Sequence, residues 1–374
     1  MKKIVISGYY GFDNAGDEAL LSAIATTLRE MAPDISITVL SASPQKTKAL
    51  HGVNAVSRTN PLVLIKTLRQ ADLLISGGGS LLQDVTSARS IVYYLGVVAL
   101  ALLLGTRVMF YAQGIGPITT WVGKTLTRII GNRVDLITLR DEQSKEELTR
   151  LGVVRPPIYV TADPVLGLRP AQLPDFGQRI LSEHGVISRS VADQSVNQPL
   201  AGIALRNWKG LAGFKVAAAK AADYLAGKGW EIVLIPLHYP EDVAAARDVQ
   251  RLMQSEAHLL AVNLTAQQAM AVIGEMDLLI GMRLHSLIFA AVMGVPVVGI
   301  TYDPKVTQFL HSIGQMPAGN VDNLTADALI AAVEKVISHL DETREMITKL
   351  AGPMCEQARN SARLALKLLE NKKP

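Results

Sequence analysis

The feature that most constrains this chain is a regular alternation of short apolar runs with amphipathic stretches. Over roughly the first 165 residues, Lys3–Ser7, Ser36–Ser41, Asp72–Ser76, Arg107–Ala112, Val134–Arg140 and Ile158–Thr161 read as strands. Asp17–Met31, Pro61–Gln70, Ser87–Leu104, Trp121–Gly131 and Glu142–Leu151 fall between them and read as helices. Such a rhythm builds βαβ units and a parallel sheet. It breaks between Gly167 and Pro199, where Pro170, Pro174, Ser182, Ser188, Ser190 and Asn197 follow no period. That stretch reads as a linker with one short helix and a polar excursion. The alternation then restarts, with Ala201–Leu205, Glu231–Ile235, Leu259–Val262, Asp277–Ile280 and Val295–Ile300 as strands. Lys215–Ala226, Glu241–Gln254, Ala266–Gly274 and Leu284–Met293 fill the gaps as helices.

At 374 residues the chain is longer than one core usually grows. The expected organisation is α/β: doubly wound domains at 1–166 and 200–340, a linker at 167–199, amphipathic helices at 341–374, and a cleft between the two sheets. Ligands of open parallel sheets bind beyond the carboxyl ends of the strands, so chemistry is expected in post-strand loops. With 49% apolar and 19% charged residues, the composition suits filled α/β cores. A lone cysteine, Cys355, rules out a disulfide framework and a Cys-based zinc site, and fits a reducing compartment. The start, Met1-Lys2-Lys3-Ile4-Val5-Ile6, reads as a first strand and not as a secretory signal. A net charge of +4 favours anionic partners, but the basic residues are scattered without interleaved aromatics, which argues against nucleic acid. Ile91–Gly105 is nearly charge-free yet shorter than the ~20 residues a bilayer span needs. It reads as a buried helix, with a peripheral, monotopic membrane contact as the alternative.

Five post-strand segments carry candidate chemistry. Gly8–Glu18 (GYYGFDNAGDE) joins the first strand to the first helix; its glycines permit close backbone approach. Asp13 and Asn14 suit sugar hydroxyls or proton transfer, against a plain turn with an N-cap. Ser76–Ser80 (SGGGS) reads as a glycine run entering a helix, where Gly78, Gly79 and Ser80 offer amides to an anion, or as a flexible turn. Gln113–Pro117 (QGIGP) repeats the theme. Arg140 ends its strand, and its planar fork matches a carboxylate or phosphate; the alternative is a local ion pair with Asp141 or Glu142. Gly281–Ser286 (GMRLHS) places Arg283 and His285 where a strand meets a helix. The helix dipole disfavours a protonated His285, whereas a bound dianion favours it. Lys305, in Tyr302-Asp303-Pro304-Lys305, follows the next strand, where a cation at a helix start wants an anion nearby. His238, in Pro236-Leu237-His238-Tyr239-Pro240, could line the acceptor side. No histidine, cysteine or carboxylate spacing indicates a metal, and neither a Walker A motif nor a GxSxG elbow occurs.

With Leu139–Asp141 (LRD) and Ala162–Pro164 (ADP), these segments together resemble the polysaccharide pyruvyl transferase family, most closely its bacterial cell-wall members. They run in family order across roughly the first 310 residues. The resemblance implies a GT-B-like fold of two Rossmann-type domains, with the first on the acceptor side and supplying part of the donor site, and the second on the donor side. It implies phosphoenolpyruvate as co-substrate and no cofactor. The implied acceptor is a lipid-diphosphate-linked amino-sugar disaccharide, modified on N-acetylmannosamine as a 4,6-ketal, from which a secondary cell-wall polymer that anchors surface-layer proteins is made. The implied location is the cytoplasm, at the inner face of the membrane. The family binds its donor through an arginine, a histidine and a lysine, matched here by Arg140, His285 and Lys305. On this reading Arg140 and Lys305 clamp the anion, His285 either bonds the phosphate or protonates C3, and Asp13 is the base on the acceptor hydroxyl. The rivals are a GT-B glycosyltransferase or epimerase using a nucleotide sugar, and a non-catalytic glycan- or membrane-binding protein.

Overall fold

A computed structural model describes residues 1–12, 14–84, 88–168, 175–186 and 198–370. Its contacts divide the chain into two compact units, residues 1–168 with 354–374, and residues 169–353. The first unit holds strands β1 (Lys3–Ser7), β2 (Ser36–Ser41), β3 (Asn54–Ser57), β4 (Leu73–Gly77), β5 (Arg107–Gln113), β6 (Leu136–Leu139) and β7 (Ile158–Val160). Helices α1 (Ala15–Met31), α2 (Pro44–His51), α3 (Pro61–Arg69), α4 (Ala88–Leu103), α5 (Trp121–Gly131) and α6 (Glu142–Arg150) connect them. All strands are parallel, in the order β3-β2-β1-β4-β5-β6-β7.

Residue alternation along the strands decides which helix covers which face. Val5, Leu74, Val108, Phe110 and Ile137 pack with Leu64 and Leu68 of α3 and Ile91 and Leu95 of α4. Their neighbours Ile4, Ile6, Leu73, Ile75, Met109 and Tyr111 pack with Leu21, Ile24 and Leu28 of α1. Each such side chain taken fully out of water contributes about 1.5–3 kcal/mol. Ile91–Gly105 is therefore a core helix, as its apolar run suggests. Among the described residues, no helix is long and apolar enough to cross a membrane.

The second unit holds β8 (Leu200–Ala204), β9 (Glu231–Leu234), β10 (His258–Leu259), β11 (Leu278–Gly281), β12 (Val297–Thr301) and β13 (Pro317–Asn320), ordered β10-β9-β8-β11-β12-β13 and all parallel. Its helices are α7 (Phe176–Glu183), α8 (Gly213–Gly227), α9 (Glu241–Leu252), α10 (Ala266–Gly274), α11 (Leu284–Val292), α12 (Pro304–Ser312) and α13 (Ala326–Ile337). The short helix expected in the linker is α7, which lies against α10 so closely that a Cβ at Gly177 would sit 2.4 Å from the Ala271 carbonyl. Most of the expected polar excursion lies outside the described residues. A 31-residue helix, α14 (Leu340–Glu370), ends the chain and carries Pro353 in its interior. Residues 340–353 belong to the second unit, while Ala362, Ala365 and Leu369 pack in the α1-side core of the first. The C-terminal helical region that the sequence sets apart is thus divided between the two units.

Two strands, β3 and β13, and helix α2 carry no clear apolar period, and only the fold reveals them. The expected strand Leu259–Val262 shrinks to His258–Leu259. Ala261 N–H turns back to the Leu259 carbonyl (3.0 Å) and Val262 N–H to the Leu260 carbonyl (2.8 Å), which takes the chain out of the ladder.

Candidate active site

In the first unit the carboxyl edge of the sheet is built from the β1, β4, β5 and β6 loops. Asp13 lies outside the described residues. Asn14 caps α1, its side-chain oxygen accepting from Gly16 N–H at 3.0 Å, so that oxygen is committed to the helix start. Beneath this loop Tyr10 is fully buried and donates to the Gly77 carbonyl at 2.5 Å. Its ring requires glycine at 8, where a Cβ would lie 2.3 Å away. Burial, with Asp17 and Glu18 nearby, pushes the Tyr10 hydroxyl well above its ordinary value, so it stays a neutral donor. Above the loop Tyr9 and Phe12 stack with ring centroids 4.2 Å apart and planes 11° from parallel, each more than a third exposed. Arg58, just beyond β3, sets its guanidinium 5.0 Å from the Phe12 ring and 4.2 Å from that of Tyr93.

The glycine run after β4 does not enter a helix. Leu82 forms an isolated bridge with Ile115, and residues 78–84 are not helical. Gly78 and Gly79 take φ of 76° and 75°, a left-handed backbone that favours glycine. Gly78 N–H is used by the Tyr111 carbonyl at 3.0 Å, so the expected anion nest loses that donor. Gln113, fully buried, donates its amide to the Ser76 carbonyl and hydroxyl, both at 2.9 Å, and thereby ties β5 to β4. It is oriented by a bulge at Ala112, whose φ is 44°.

Arg140 stands at the end of β6 with its side chain 7% exposed. One guanidinium nitrogen donates to Asp163 at 3.1 Å and the other to the Ser80 hydroxyl at 3.0 Å; Asp141, the cap of α6, lies at 3.6 Å. The principal partner is thus Asp163 of the ADP segment and not the adjacent Asp141. Gly114 makes the room: a Cβ there would come within 2.7 Å of the Arg140 Nε. Ser80, Gly114, Arg140 and Asp163 accordingly form one built cluster.

In the second unit the strands β8, β11 and β12 are neighbours, and their following loops carry Arg206, His285 and Lys305. His285 lies in the first turn of α11, half-buried. Lys305 lies in the first turn of α12, which Pro304 opens and Asp303 caps through the Lys305 N–H at 2.8 Å. Arg283 does not face a ligand alone. Buried Asp242 grips its guanidinium with two hydrogen bonds of 2.6 Å and also accepts from His238 N–H. The sequence alone does not single out Arg206 and Trp208. Trp208 and Tyr302 meet with centroids 4.5 Å apart, and the Arg206 guanidinium sits 5.5 and 5.8 Å from their rings. Arg206 Nε is buried with no hydrogen-bond partner. A cation at the first residue pair after β8 is the signal that would have found it. Among the described residues, no cluster of three or more His, Cys, Asp or Glu side chains is placed to hold a metal ion.

Two parallel-sheet units of this kind define a GT-B-type protein, and solved structures agree. UDP-GlcNAc 2-epimerase from Neisseria meningitidis matches over 99% of both chains with a TM-score of 0.69 at 13% identity. HepE from Anabaena, solved with UDP and glucose, matches over 99% of both chains at 0.65 and 13%. At that identity the likeness is one of fold. The polysaccharide pyruvyl transferase profile covers residues 14–304, and the chain belongs to that family. The amylovoran biosynthesis protein AmsJ of Erwinia amylovora is 21% identical over 93% of this chain and 95% of its own.

Proposed function

We propose that this member of a glycan-modifying transferase family takes its pyruvyl group from phosphoenolpyruvate and releases phosphate. The observation that carries the reading is the set of three adjacent strands, β8, β11 and β12, each followed by a cationic or protonatable side chain: Arg206, His285 and Lys305. Phosphoenolpyruvate carries a carboxylate and a phosphate on a three-carbon frame, and several donors of this kind are what it needs. Lys305 and Arg206 bind its anionic groups, and Arg140 contributes the forked contact of the family. A proton delivered to C3, with His285 as its source, makes C2 electrophilic. One sugar hydroxyl adds at C2, phosphate departs with the proton of the second hydroxyl, and that oxygen closes the ketal. Asp13 is the base on the attacking hydroxyl.

The acceptor we propose is an N-acetylmannosamine residue of a lipid-diphosphate-linked precursor, as implied by likeness to the bacterial cell-wall pyruvyl transferase CsaB. The reaction then belongs to the assembly of the polymer that anchors surface-layer proteins, on the cytoplasmic side. The exposed Tyr9–Phe12 stack supports a sugar at the β1 loop, since pyranose rings lie well on aromatic faces. Melting with each ligand tests the donor: stabilisation by phosphoenolpyruvate and none by UDP-N-acetylglucosamine is expected. The reverse pattern would transfer the assignment to a nucleotide-sugar enzyme.

A further inference from the structure

Helix α5 presents to water a face that suits a lipid surface better. Its inner side, Gly123, Thr127 and Ile130, is buried against the first unit. On its outer side Trp121 is 77% exposed, and Val122, the next residue, and Ile129, two turns further along, are each 47% exposed. Val154, in the loop that meets the helix end, is 66% exposed. Scattered exposed apolar residues are ordinary, but a tryptophan and three more large ones on one short helix and the loop at its end are not.

The rim of this patch is basic. Lys124, Arg128, Arg133 and Arg155 surround it, and no carboxylate occurs between Trp121 and Val134. Arg128, Arg133 and Arg155, with Ile129, Asn132 and Val154, line an open pocket of about 330 Å³. Asn132 builds that pocket: its amide donates to the Arg128 and Gly152 carbonyls, and its oxygen accepts from Val154 and Arg155 N–H. None of the three arginines forms an ion pair among the described residues. On α6, Glu142 and Glu147 pair with Lys145 and Arg150. The start of α5 is fixed near the carboxyl edge of its own sheet, because it follows β5 and because Asp84 receives the N–H and hydroxyl of both Thr119 and Thr120.

We infer that this face docks the protein on an anionic bilayer, α5 lying in the plane of the interface with Trp121, Val122, Ile129 and Val154 among the upper acyl chains. The arginine pocket takes lipid phosphates. Eleven residues lie in an interface and do not span it, and tryptophan beside arginine is the composition such helices use. The docking would hold the first unit on the surface that carries a lipid-linked acceptor, with the arginine pocket just ahead of β6 and β7 and Arg140 beyond the other end of β6. It deepens the acceptor part of the proposed function and is independent of the donor.

Vesicle flotation of the full chain, without phosphoenolpyruvate or acceptor, tests it. Phosphatidylcholine vesicles containing phosphatidylglycerol should carry the protein up, and pure phosphatidylcholine vesicles should carry far less; raised salt should release it. Each basic residue near such a surface is worth about a fivefold change in partitioning, so Arg128→Glu with Arg133→Glu should cut binding by more than about 20-fold. Trp121→Ser should cut it about tenfold, with the melting temperature of each variant close to that of the parent. Equal binding by parent and variants, or binding indifferent to phosphatidylglycerol, would overturn the inference. So would a concentration-dependent dimer that Trp121→Ser dissolves, since the face would then belong to a second copy. Loss of phosphoenolpyruvate binding with vesicle binding intact would sink the donor reading and leave this one standing.

Discussion

Arg140 illustrates how much a single side chain owes to its neighbours. Its fork is aimed by Asp163 and Ser80 and given space by Gly114, whose missing Cβ matters as much as any contact. Gly114→Ala places a methyl 2.7 Å from the Nε of a guanidinium that is already held at both ends. The expected result is a KM for phosphoenolpyruvate raised about tenfold or more, with the melting temperature moved by only a few degrees. In the second unit Asp242 plays the corresponding part toward Arg283, and it too is buried. Asp242→Ala leaves an arginine without its counter-charge and should cost about 3 kcal/mol in chemical denaturation. Arg206→Ala should raise the phosphoenolpyruvate KM, and Arg206→Lys should restore part of it, because charge survives while the guanidinium's contact with the Trp208 and Tyr302 rings does not. Full restoration by lysine would show that only the charge matters. That Arg140 ends one strand, and that His285 and Lys305 stand in the first turns of helices after two others, was legible in the sequence because apolar runs mark those strands. Asp163, Asp242 and Arg206 were not read as site residues, because nothing local reveals which side chain they meet across the sheet.

At the scale of elements, one carboxylate ties the segment after β4 to the β5–α5 loop. Burial works to raise the pKa of Asp84, but four hydrogen bonds from Thr119 and Thr120 outweigh it and hold the group down at about 2. A carboxyl group depressed in the folded state adds stability above its ordinary value of 3.8, and that stability disappears as the pH falls through the folded value. Asp84→Asn should therefore cost about 1–2 kcal/mol at neutral pH and flatten the loss of stability between about pH 4 and pH 2. An acid limb unchanged by the substitution would remove Asp84 from the account. Some helix termini were readable in advance: in the first unit Trp121–Gly131, and in the second Ala266–Gly274, begin after threonine caps and end where expected. The glycine run was not. Three glycines after a strand look like a helix entry, whereas here the chain first bridges to Ile115 and uses Gly78 to complete the β4–β5 edge. Short strands such as Asn54–Ser57 and Pro317–Asn320 escape periodicity altogether, because four mixed residues carry no pattern until a neighbouring strand supplies one.

For the whole molecule, the repeated strand–helix rhythm was enough to read two Rossmann-type units, and the family profile over residues 14–304 gives the chemistry a name. The fold alone would not have done so, since structures that resemble it at 13% identity hold UDP-GlcNAc, or UDP with glucose. The discriminating features are the side chains at the strand ends. The central claim is that this chain moves a pyruvyl group from phosphoenolpyruvate to a glycan. The most direct measurement incubates it with phosphoenolpyruvate and lipid-linked amino-sugar acceptors, following phosphate release and product mass together. The account predicts phosphate in step with a pyruvate ketal on the sugar, and loss of both in Arg140→Ala and His285→Ala. A glycan left unmodified by phosphoenolpyruvate but extended or epimerised from a UDP-sugar would contradict it.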